Sequence, residues 1–224
     1  MSNLFIKETH FGSPIWTADF PQYVDDINKI SNEYINVIKK RNKKMYSERD
    51  KKLKAKIGER YGVYHSLTML NDKRMQGFIN FCALRSNDFM TWSGFDISKH
   101  EALITEFWVQ EFNKLGGGHH APHVHWNQHV SGFYFLKCSD KTSYPIFHDP
   151  RPGALMTKLP QLQPEKLSFA NEAINYKVKP GTMIIFPGYL THEYALDYGI
   201  EPFRFIHFNI QYLPKSEVSA RINV

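Results

Sequence analysis

Cysteine is scarce in this sequence: Cys82 and Cys138 are the only two among 224 residues. With no CxxC spacing, they exclude a disulfide framework and point to a reducing compartment. Long apolar runs are missing too. None approaches the roughly 18 residues of a membrane helix, and no charged-then-apolar leader opens the chain. A soluble cytoplasmic protein without membrane partners is the expectation. Repeats and low-complexity stretches are absent. An excess of one charge is also lacking over most of the chain, despite a formal net charge of +6. Ten of the 28 lysines and arginines, but only two of the 22 acids, lie between Lys39 and Lys56, leaving 18 and 20 elsewhere. One basic patch on a near-neutral protein argues against nucleic acid binding by the whole surface. Docking of that patch to an acidic partner or nucleic acid competes with a solvated helix face.

Histidine is abundant. Five of the 11 histidines fall in one stretch, HHAPHVHWNQH, as His119, His120, His123, His125 and His129. Neutral imidazole is the commonest transition-metal ligand. On a strand, residues i and i+2 share a face, so His123 and His125 aim at one point. His192, after the Gly- and Pro-punctuated strand GTMIIFPG, offers a third imidazole from a distant segment. Together they would make a facial site with open positions; histidines on a polar loop are the bland alternative.

The hydrophobic content of 42% and aromatic content of 15% suit one sizeable core. Leu4 to Trp16 reads as an extended lead-in. Pro21 to Lys44 reads as a helix, with Val24, Ile27, Ile30, Tyr34 and Ile38 on one stripe. Ser47 with Asp50 resembles the start of a second helix, running to about Arg60. Met75 to Ala83 reads as a short buried element. Ser98 to Glu101 resembles a capping box and a short helix. Strands are expected over 104–112, 123–125, 131–136, 145–149, 174–178, 183–186 and 203–212, with 155–173 a loop. Short strands joined by Gly and Pro turns predict a mainly β fold, a barrel or sandwich with helices packed outside. Residues 1–100 form a helical and extended region packing on a core of 101–214, in one compact domain.

Four segments in order, FNKLGGGHHAPHVHWN, SGFYFL, FHDPRPG and GTMIIFPGYLTHEY…FRFIHFNI, resemble the Fe(II)/2-oxoglutarate-dependent oxygenases of the prolyl-hydroxylase-like set. They are most similar to a subfamily from phages and bacteria, which would place the protein in a host cytoplasm. The resemblance covers about Ile104 to Tyr212. It implies a double-stranded β-helix (jelly roll, cupin-like) core, Fe(II) and 2-oxoglutarate as cofactors, O2 as co-substrate, and hydroxylation of a prolyl or other peptide side chain or of a metabolite. By position it makes His123 the first metal ligand, His192 the distal one, and Arg204 the anchor of the 2-oxoglutarate carboxylate. A guanidinium fork suits a carboxylate. Phe133 and Phe135, on the Ser131 face, either line that pocket or fill the barrel core. The family's His-x-Asp departs here to His123-Val124-His125. The third ligand is then His125, Asn127 if the register moves, or Asp149 from a neighbouring strand; His125 needs no rearrangement. If Arg204 points inward, strand parity turns His207 and Asn209 outward. Two other classes compete: a cupin-like metalloprotein, which also opens on His-x-His but lacks the expected Glu, and a non-catalytic phage structural or DNA-associated protein using the Lys39–Lys56 segment.

Overall fold

A computed structural model describes residues 9–156 and 159–222. The opening part of the expected lead-in, residues 4–8, lies outside the described residues. The elements run β1 (Trp16–Asp19), α1 (Val24–Leu53), β2 (Val63–His65), α2 (Gln76–Trp92) and β3 (His100–Phe112). They continue through β4 (His120–His123), β5 (Val130–Lys137), β6 (Pro145–His148), α3 (Pro152–Met156) and β7 (Ala173–Asn175). The chain closes with β8 (Thr182–Pro187), β9 (His192–Tyr194), β10 (Phe203–Pro214) and α4 (Lys215–Ile222).

Ten strands form two antiparallel sheets. The larger has the order β1-β8-β5-β10-β3-β2 and the smaller β4-β9-β6-β7. From β3 onward the chain crosses repeatedly between them, so that β3, β10, β5 and β8 face β4, β9, β6 and β7. This interleaving of eight strands is the double-stranded β-helix expected from the sequence. β1 and β2, from the N-terminal region, extend the larger sheet at its two edges.

The larger sheet is buried on both faces, which gives the molecule two cores. Outside it, α1 and α2 bring Ile27, Ile35, Phe78 and Phe89 against Phe107, Tyr134, Ile206 and Phe208. Inside the barrel, Phe112, Phe133, Phe135, Phe147, Phe186, Tyr194, Phe203 and Phe205 form a second cluster. Alternate residues of β10 serve the two cores, as the pleat requires.

The helices depart from the sequence reading. The two segments expected before and after Ser47 are one helix of 30 residues. Tyr46 is buried eight residues beyond Ile38, so the apolar stripe continues through the supposed break. The helix ends at Lys54, which is left-handed at φ 50°. Most of the basic segment therefore rides on the C-terminal half of α1. α2 is 17 residues long, twice the expected element, because its buried face continues past Ala83 through Ser86, Phe89 and Met90. The capping-box helix does not form. His100 and Glu101 instead begin β3, paired with Pro214 and Leu213.

Candidate metal centre

β4 and β9 pair with His123 opposite His192. His125 follows just beyond β4, its backbone N–H donating to the Gly188 carbonyl at 2.9 Å. The three sequence-predicted histidines meet at one end of the barrel, each offering a ring nitrogen, all within 4.8 Å of one another. His192 is fully buried. Its Nδ1 lies 2.9 Å from the Leu190 carbonyl, and His123 Nδ1 lies 2.8 Å from the Ala121 carbonyl. A carbonyl only accepts, so each Nδ1 carries the proton and each Nε2 keeps its lone pair. This is how metal-ligating histidines are usually oriented. His125 Nε2 and His192 Nε2 are 3.2 Å apart, close to the ~3 Å between adjacent nitrogens on one ion.

Burial favours the neutral, ligating form of imidazole. Desolvation, reinforced by neighbouring histidines, lowers His125 to about 2, His192 to about 3 and His120 to about 4. The cavity beside them measures about 60 Å³ and is lined by His120, His123, His125, His192, Phe133, Tyr194, Phe205 and His207, among others. It has room for an ion and a few waters. The donor set fits a divalent transition metal such as Fe(II).

The other expected ligands lie elsewhere. Asn127 sits exposed in a turn, left-handed at φ 59°. Asp149 accepts from the Arg151 guanidinium at 2.7 Å and from its backbone N–H at 2.9 Å, in a local turn. Phe133 packs its ring 5.5 Å from both His192 and His207. Phe135 is deeper, its ring tilted against Phe203 and Phe205.

Arg204 requires a correction. It points out of the barrel, away from the histidines. Its Nε donates to Glu111 Oε2 at 2.7 Å and its Nη1 to Asn32 Oδ1 at 2.8 Å, closing onto α1. Lys39, also from α1, donates to the other Glu111 oxygen at 2.6 Å. Burial works to raise the Glu111 pKa, but Arg204 and Lys39 more than offset it and hold the carboxylate charged. Its partner Glu111 is distant in sequence yet directly opposite Arg204 in the β3–β10 register. His207 and Asn209 accordingly face inward, the reverse of the sequence expectation. Among the described residues, no lysine or arginine lines the cavity. These lining residues therefore do not include an anchor for the 2-oxoglutarate carboxylate.

Two further groups at the site were not singled out as ligands from the sequence. His207, 1% exposed, stacks on His125 at 4.6 Å between ring centroids. Glu106 on β3 places Oε2 3.6 Å from His207 Nε2. Asn209 joins them: Nδ2 donates to Glu106 Oε2 and to His125 Nδ1, both at 2.9 Å, while its Oδ1 accepts from Ser131 at 2.6 Å. The parity of β10 was visible in the sequence, but the partner strand that brings Glu106 opposite Asn209 was not.

Residues 106–202 match the model of a family described as "Putative 2OG-Fe(II) oxygenase". Over that stretch the resemblance read from the sequence holds. No curated protein matches the chain. Among solved structures, it is similar to a 2OG-Fe(II) oxygenase family oxidoreductase from Burkholderia pseudomallei (13% identity, TM-score 0.46, covering 66% of each chain). It is also similar to a prolyl-4-hydroxylase from Pseudomonas putida (10%, 0.45, 88% of this chain and 86% of that one). A third is a Trichoplax adhaerens prolyl hydroxylase in complex with a hypoxia inducible factor peptide (8%, 0.44, 86% and 94%). The chain spans just under two thirds of the Burkholderia protein.

Proposed function

We propose that this chain is a non-haem iron-dependent oxygenase that hydroxylates a C–H bond, with Fe(II) held by Nε2 of His123, Nε2 of His192 and a ring nitrogen of His125. The catalytic unit is the core of residues 101–214, with residues 9–100 packed on it. The observation that carries the reading is three imidazole nitrogens within 4.8 Å at the end of a barrel whose sequence matches an oxygenase family. Bound iron supplies activation of O2. The chain's own side chains do the remainder. The Leu190 and Ala121 carbonyls fix two imidazole tautomers. Asn209 orients the third ring, and Phe133, Tyr194 and Phe205 exclude water behind the metal. A peptide or small-metabolite substrate would approach from the half-exposed His123 and His125 side.

The test is oxygen uptake by the Fe(II)-loaded protein, with and without 2-oxoglutarate, alongside His192→Ala. Uptake above that of free Fe(II), lost in the variant and accompanied by succinate release, is the expected result. No uptake by the wild type in either condition sinks the oxygenase reading. A cavity lining without lysine or arginine among the described residues is compatible with one second reading, the cupin-like metalloprotein. Uptake indifferent to 2-oxoglutarate would select it.

A further inference from the structure

The half of the centre that the proposed iron site leaves unused carries its own donor set. Glu106, His125 and His207 each offer a ligand atom, and these atoms lie within 4.8 Å of one another. Two imidazoles and a carboxylate are the donors of a facial metal triad, the carboxylate that His123-Val124-His125 lacks. His207 is the independent pointer. It is 1% exposed, and neither of its ring nitrogens has a hydrogen-bond partner among the described residues. At 3.6 Å the Glu106 carboxylate is too far to serve as one. A buried polar group without a partner costs on the order of 1–3 kcal/mol, and a ligated cation removes that cost.

We propose that Glu106, His125 and His207 bind a second divalent transition-metal ion beside the first, with the His125 ring shared between the two. The proposal rests on the iron-site reading for its first ion only. His125 is placed for sharing: Nε2 faces His192, and Nδ1 faces the Asn209 amide that also contacts Glu106. Ligation through both nitrogens releases the remaining ring proton to solvent. Asn209 Nδ2 sits between Glu106 and His125, donating to each, so that spot already favours positive charge. Rotation of the amide about its terminal torsion replaces Nδ2 with the oxygen Oδ1, a metal ligand. Ser131 can follow, because a hydroxyl donates or accepts. Glu106, with a side chain 48% exposed, gives the ion its entry from solvent.

The experiment is an anaerobic titration with Co(II), with bound metal per chain measured after gel filtration. Wild type, Glu106→Gln, His207→Gln and His192→Ala are compared, and circular dichroism checks each fold. Glu106→Gln is the main variant, because a half-exposed isosteric change spares the fold. The expected result is two ions per wild-type chain and one in each variant. One ion in wild type, retained in Glu106→Gln and lost in His192→Ala, overturns the second site and leaves the iron-site reading standing. One ion lost in Glu106→Gln but retained in His192→Ala keeps the new site and removes the proposed iron site. No bound metal in wild type overturns both.

Discussion

At the scale of residues, the centre depends on groups that hold the ligands as much as on the ligands. Asn209 bridges Glu106 and His125, so Asn209→Ala should weaken metal binding about 10- to 100-fold. Competition against a chelator of known affinity measures this, and unchanged affinity would deny Asn209 any part in positioning His125. On the other side of β10, Glu111→Gln removes the charge facing Arg204 and Lys39. Stranding a buried guanidinium should destabilise the fold by roughly 3–5 kcal/mol, read by urea unfolding. A loss under about 1 kcal/mol would mean that water reaches Arg204. His123, His125 and His192 were legible because i, i+2 spacing and a Gly-Pro turn are local signals. Glu106 and Glu111 were not, because each acquires its role from a cross-strand register that a single sequence does not write down.

At the scale of elements, buried β strands tolerate little. Gly132 lies in the middle of β5 with the ring of Phe208 over it, and a Cβ there would come 2.1 Å from Phe208 Cζ. Gly132→Ala should therefore cost about 1–3 kcal/mol through overpacking, and a melting temperature equal to wild type would show that the ring moves freely. Between α1 and α2, Asp72 accepts from Arg74 and from Tyr34. The Arg74 hydrogen bond leads in lowering its pKa to about 2, against about 3.9 in an unfolded chain. The stability from this carboxylate is fully present above about pH 4 and is lost as pH falls towards 2. Asp72→Asn should be less stable than wild type at pH 7, by about 1 kcal/mol. The gap should close as pH drops to 2; a gap that stays constant over that range would assign it to packing. The strands of the core were readable because Gly and Pro punctuate them. α2 was half missed because Ser86-Asn87-Asp88 looks like a loop until the burial of Ser86 is seen.

At the scale of the whole molecule, the metal centre is where the two sheets meet. His123 and His192 come from the smaller sheet, and Glu106 and His207 from the larger one. Metal bound to the folded state alone adds stability by mass action, about 2.7 kcal/mol at a hundred times the dissociation constant. Loading the chelator-stripped protein should raise its melting temperature by about 5–10 °C, and identical thermograms would mean that no ion joins the sheets. The jelly roll itself was legible from the family-like segments, whereas the side of β10 that carries Arg204 was not. That strand has a consequence for the gene. Phe203 and Phe205 belong to the barrel interior, and Arg204 between them faces α1. Side chains in a strand change face with every residue. An in-frame codon inserted between Phe205 and His207, with His207 held in place by its cluster, would turn both phenyl rings towards α1 and the guanidinium into the barrel. One triplet of coding sequence separates a barrel closed by aromatic rings from one with a fixed cation at the metal's back.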